Sequence, residues 1–173
     1  MPKVKNSYKT PHRRRAEEKT NYKKRLGLIR SEKIRLVVRK SLDNIIVQFV
    51  AYNKDGDVIK ACATSEMLKK LGWKASGGNV PAAYLTGLAA GILAKKAGVN
   101  EAVLDLGLQR STKGSRLYAA LKGVLDAGVS VPHDAKILPD DKRISGQHIA
   151  AYVESLKDLP NQFAAAKADI MKV

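Results

Sequence analysis

IRLVVRKSLDNIIVQFVAYNKDGDVIKACAT, residues 34–64, is the stretch that decides the fold. Residues 34–41 and 44–53 are rich in β-branched side chains and are separated by the short polar turn Leu42–Asp43. The second run leads into NKDGD, whose Asp-Gly pair signals a hairpin, and a third run follows over 57–64. Three strands joined by two tight turns predict an antiparallel meander. Alternation puts Arg35 and Arg39 on one face of the first strand, opposite Ile34, Leu36 and Val38. One face of the sheet is therefore expected to be wet and basic, either merely solvated or a binding surface. Cys62 is expected half-buried in the third strand.

Downstream, SEMLKKLGW predicts a short helix over 65–73, capped by Ser65 and ended by Gly72. Asn79-Val80-Pro81 opens a long helix to about Ala97, since proline fits the first helical turn. In that helix Ala83, Gly87, Gly91 and Lys95 recur every four residues. The stripe of small groups suits close packing on a sheet or another helix better than it suits a ligand site. A fourth strand is expected over 101–107, then a loop, then a helix over 115–127 closed by Gly128. The order β-β-β-α-β-α predicts an α/β (α+β) fold: a β-meander plus a further strand, with helices packed on the sheet. Residues 132–173 form a helical C-terminal extension laid over a surface, with helical runs over 146–156 and 161–172.

Upstream lies charge. The chain of 173 residues carries 32 Lys+Arg against 16 Asp+Glu, a net +16, which makes a polyanion the default partner. Twelve of those cations, against three acids, fall in residues 1–33, which hold few large aliphatic groups and cannot bury a core. The domains then read as a basic arm over 1–33, an α/β core over 34–131 and the extension over 132–173. Within the arm, residues 13–31 favour helix, with Gly27 as a stop and Glu17 and Glu18 spaced to meet Arg25 and Tyr22. Tyr8 and Tyr22 stand among the cations, as suits stacking beside phosphate pairing. The opening residues lack the apolar core of a secretory signal. The run over 80–94 is shorter than the ~20 residues a bilayer span needs. No membrane partner is expected, and one cysteine excludes an internal disulfide.

Catalysis finds little support. In GLQRSTKGSR (107–116) the residue five after Gly107 is Thr112 rather than glycine, and Lys113 precedes Gly114, so P-loop spacing fails. Asp43 and Asp57 belong to turns, and Asp105 alone cannot clamp catalytic metals; it is expected to orient nearby backbone or basic side chains. His12, His133 and His148 are scattered and show no metal-ligand spacing. Neither a cofactor nor a small-molecule substrate is implied. The loop 110–116 instead reads as an anion site at a helix start. Ser111, Thr112, Ser115 and the N–H groups near Gly114 supply donors, and Arg110, Lys113 and Arg116 supply charge. An ordinary polar strand-to-helix connection is the plainer alternative.

LDLGLQRSTKGSRLYAALKGVLDAG (104–128), YKTPHRRRAEEKTNYKKRLGLI (8–29) and VPHDAKILPDDKRISGQHI (131–149) together resemble one family. It is the archaeal and eukaryotic form of the 5S-rRNA-binding large-subunit ribosomal protein, the universal family numbered eighteen. The likeness runs from about Tyr8 to Leu156, and the missing long eukaryotic tail leans it towards the archaeal form. It implies a non-enzymatic, cytoplasmic protein of the large ribosomal subunit. Such a protein would grip 5S rRNA and anchor it to 23S rRNA in the central protuberance, beside neighbouring large-subunit ribosomal proteins. By position it implicates Tyr8, Lys9, Arg13, Arg14, Arg15, Tyr22, Lys23, Lys24, Arg25, Arg30, Arg35 and Arg39 in RNA contact. The loop residues Arg110, Ser111, Thr112, Lys113, Ser115 and Arg116 join them. The alternative is a general nucleic-acid-binding protein without preference for 5S rRNA.

Overall fold

The computed structural model of the chain describes residues 10–172, so Tyr8 and Lys9 lie outside the described residues. Strands β1 (Arg35–Lys40), β2 (Ile45–Ala51) and β3 (Val58–Thr64) form the expected meander, and β4 (Val103–Asp105) is the fourth strand. The sheet order is β3-β2-β1-β4, antiparallel within the meander and parallel between β1 and β4. A bulge displaces the β2–β3 register: Phe49 faces Ala61 while Val50 faces Ile59, which leaves Lys60 as the extra residue.

The chain's helices are α1 (Arg13–Ala16), α2 (Tyr22–Ile29), α3 (Met67–Lys70), α4 (Val80–Lys96), α5 (Arg116–Asp126), α6 (Asp141–Ile144), α7 (Gln147–Ala150) and α8 (Leu159–Lys172). Leu36, Val38, Ile45, Val47, Phe49, Ala61 and Ala63 fill the inner face of the sheet and are covered by α4 and α5. Helix α4 is apolar almost all round because α5 and α8 pack on the sides that the sheet leaves open. Its small residues serve contact between helices: a Cβ on Gly87 would collide with the Ala120 carbonyl, and one on Gly123 with that of Tyr84. Asn79 caps α4 by accepting from the Ala82 N–H at 2.8 Å, as its position before Val80-Pro81 suggested. Leu159, Phe163, Ala166 and Ile170 of α8 belong to the same core as the sheet, so the C-terminal segment contributes buried apolar surface.

Several local expectations fail for long-range reasons. Ser65 does not cap α3. Its hydroxyl instead accepts from the Ile45 N–H at 3.1 Å and donates to Asn44 Oδ1 at 3.1 Å, pinning the start of β2. Gly27 lies inside α2 and does not end it; the arm breaks earlier, at Glu18 with φ 52°, and restarts on the Asn21 cap. Glu17 pairs with Arg13 and Lys19, not with Arg25. Cys62 is exposed, because the outer face of β3 carries no covering element there. The run expected over 146–156 is only the four residues of α7 and a 3₁₀ turn at Glu154–Leu156.

Candidate nucleic-acid interface

The arm crosses the outer face of the sheet, the side opposite α4 and α5. No residue of α1 or α2 is fully buried, so the arm has no core of its own; Leu28 and Ile29 are half-buried, and polar contacts complete its attachment. Arg25 reaches down to Asp57 in the β2–β3 turn, with Nη2 2.8 Å from Oδ2. Between arm and sheet runs a cleft of about 800 Å³. Arg14, Lys24 and Arg25 line it from the arm, Arg35 and Arg39 from β1, and Arg110 and Ser111 from the loop after β4. Val37 and Val50 lie along its sheet side. Tertiary structure thus brings arm, strand and loop cations around one groove, though they stand up to ninety-six positions apart in sequence.

The expected basic face is, however, not a row of free cations. Arg35 is 4% exposed and donates to Asp57 Oδ2 at 2.5 Å and to Asp105 Oδ2 at 3.2 Å. Its guanidinium is enclosed by carboxylates, which corrects its expected place on a wet surface. A buried arginine needs such partners, since an unpaired charge there would cost several kcal/mol (about 3–5). Arg39 is half-exposed and donates to the Asp105 carboxylate and, at 2.6 Å, to its carbonyl. Asp105 also accepts from the Gly107 N–H at 2.8 Å, so it orients both basic side chains and backbone, the role its strand-end position suggested. The Arg39 guanidinium lies so close over Gly107, itself at φ +60°, that a Cβ there would press on it.

The loop 110–116 divides in the same way. Arg110, Thr112 and Lys113 are exposed, and no partner engages their side chains among the described residues. Ser111 and Tyr118 share a short hydrogen bond between hydroxyls. The Gly114 N–H, expected to face an anion, donates instead to the Ile137 carbonyl at 3.0 Å, because the C-terminal segment lies against the loop. The Ser115 N–H is likewise taken, by Thr112 at 3.2 Å, and the Ser115 hydroxyl is buried without a partner. Arg116 turns inward and donates to the carbonyls of Gly78 at 2.6 Å, Leu42 at 3.3 Å and Ser41 at 3.4 Å. It clamps the approach to α4 onto the β1–β2 turn. The Gly114 and Ser115 N–H groups and the Ser111 hydroxyl are therefore engaged within the protein, and the loop presents the Thr112 hydroxyl and the Arg110 and Lys113 cations outward.

In the arm, Arg15, Lys23, Lys24 and Arg30 are exposed and their side chains engage no partner among the described residues. Arg13 pairs with Glu17 at 3.2 Å and Arg14 donates to Thr20 at 2.9 Å, both at the surface where such contacts exchange readily. Tyr22 packs obliquely against His12, with ring centroids 5.4 Å apart. Lys19 and Gln48, which composition did not single out, also line the cleft. Alternation along β2 could have placed Gln48, which pairs with Val37, on the same face as Arg35 and Arg39, but Lys19 is legible only as one more cation in a basic arm.

The family model for ribosomal large subunit proteins 60S L5 and 50S L18 matches residues 6–101 and 92–134. The large ribosomal subunit protein uL18 of Korarchaeum cryptofilum is 56% identical over 160 residues, covering 91% of this chain and 82% of that protein. Its counterpart in Methanococcus maripaludis is 52% identical over 151 residues, covering 87% of this chain and 78% of the relative.

Proposed function

The chain belongs to the family of ribosomal large subunit proteins 60S L5 and 50S L18, and on that premise we propose that it binds 5S rRNA and anchors it to 23S rRNA in the central protuberance. Membership makes the protein a structural constituent of the large ribosomal subunit of archaeal type, not an enzyme, with ribosomal RNA and other subunit proteins as its partners. The observation that carries the finer reading is the groove that gathers Arg14, Lys24, Arg39 and Arg110 on one side of the sheet. Together with Arg15, Lys23, Arg30 and Lys113 these cations suit an RNA backbone entering between arm and loop. A-form RNA hides its base edges in a deep groove, so recognition by shape and phosphate position fits a surface of this kind. The protein partners of Arg35 and Arg116 favour a supporting role for both beneath that surface.

The test is competition of 5S rRNA against tRNA and duplex DNA at 150–200 mM salt. A preference for 5S rRNA that survives there is expected; its collapse would favour a general nucleic-acid-binding protein. Six to ten phosphate contacts predict a log–log salt slope of roughly −4 to −9, and a slope near −1 would remove the electrostatic account.

A further inference from the structure

Within this basic surface stands a carboxylate that direct RNA contact cannot use. Asp57 follows the Asp-Gly turn, and its side chain is about a quarter exposed at 26%. Its Oδ2 accepts from Arg25 of the arm at 2.8 Å and from Arg35 of β1 at 2.5 Å. From Arg35 the chain of contacts continues to Asp105 at 3.2 Å, and from Asp105 to Arg39 at 3.1 Å and to the Gly107 N–H at 2.8 Å. Alternating charges thus run from the arm helix, across the outer face of the sheet, to the first residue of the basic loop. The inner end is rigid, because Arg35 and Asp105 are 4% and 6% exposed. The outer end is looser: α2 has no fully buried residue, only Leu28 and Ile29 half-buried on its apolar side, and Arg25–Asp57 is the one ion pair between α2 and the sheet region among the described residues.

We propose that Asp57 is a positioning residue for the RNA-binding arm, docking α2 through Arg25 so that the arm cations face Arg110 across the cleft before RNA arrives. This rests on the RNA-binding reading above. The proposal reverses the sign that simple electrostatics assigns. Removing an acid from a surface that meets phosphate should strengthen binding, whereas removing a docking point makes RNA association bear the cost of ordering the arm.

The full-length chain carrying Asp57→Asn tests it, with two readouts. The first is the distance distribution, in RNA-free protein, between spin labels on the exposed native Cys62 and on a cysteine replacing Lys23. The second is affinity for transcribed 5S rRNA. A narrow distribution in the parent chain and a broad one in the variant are expected. Affinity should fall about five- to tenfold although net charge rises by one, a loss typical of undone preorganisation. Arg25→Gln, which leaves the buried Arg35 untouched, should broaden the distances equally, and in that background Asp57→Asn, though it also takes a partner from Arg35, should broaden them no further. Asp57→Glu should recover part of the affinity. Unchanged distances, unchanged or improved affinity, or further broadening in the Arg25→Gln background would each overturn the proposal. Should the parent chain fail to prefer 5S rRNA over tRNA, the functional reading fails instead, and the RNA-free distances still decide whether Asp57 docks the arm.

Discussion

Between α4 and α5 the two backbones meet over Gly87 and Gly123 with no room for a methyl group, whereas on the far side of the same sheet α2 is moored by charge and no residue of it is more than half-buried. The first seam is dry, made of alanine, glycine and leucine, and depends on van der Waals fit, which salt barely touches. The second is a relay of arginines and aspartates beside an open cleft, and its exposed end weakens as ions screen it. The difference separates two tasks. Stability is kept where solvent is absent, and adaptability is kept where a polyanion must be admitted.

Four substitutions would sharpen or break that contrast. The largest effect is expected for Gly87→Ala, whose new methyl group meets the Ala120 carbonyl backbone rather than a side chain that could swing away. Overpacking of this kind should cost about 3 kcal/mol in urea unfolding, with the salt slope of RNA binding preserved in the folded protein. A loss below measurement would mean that the seam is looser than it looks. Next come two arginines of one loop. Arg116→Ala orphans carbonyls of Gly78, Leu42 and Ser41 and should cost about 2 kcal/mol of stability. Arg110→Ala should leave stability unchanged and lower the magnitude of the salt slope by roughly one phosphate, ~0.7–0.9. An exchange of those two outcomes would dissolve the division between clamping and contacting cations.

The smallest effect concerns the Tyr84 phenol, which donates to Asp126 at 2.6 Å beside α5. Burial, then the hydrogen bond to Asp126 and the charge of that carboxylate, push its pKa above the ordinary value. The fold therefore favours the neutral phenol. Its contribution is complete below the unfolded value near pH ~10 and is lost as pH rises beyond it. Tyr84→Phe should cost about 1 kcal/mol at neutral pH, and its deficit relative to the parent chain should shrink in strong alkali. A deficit that stays constant through that range would show that the hydrogen bond is not linked to ionisation.

Much of the architecture was legible because its signals are local. Alternation in 34–64 sets the strands, Asp55-Gly56 the hairpin, Asn79 and Pro81 the start of α4, and Gly128 the end of α5. The failures are equally instructive. Ser65 looks like a cap by spacing, yet Ile45, twenty positions away, claims its hydroxyl. Gly114 looks like an anion-binding turn, yet the Ile137 carbonyl of the C-terminal segment takes its N–H. Arg35 looks like a surface cation by alternation, yet two distant carboxylates close over it.

The sequence by itself determined that this protein has a basic arm, a β-meander under apolar helices, a cationic loop and a family. Charge, hydrophobic period and turn chemistry are all carried by neighbours in the chain. Only tertiary structure decided which cations face the groove and which are locked inside. That choice depends on where Asp57, Asp105 and the carbonyls of Gly78 and Ile137 come to rest once the sheet and helices have packed, and a charge is free or spent according to its neighbours in space.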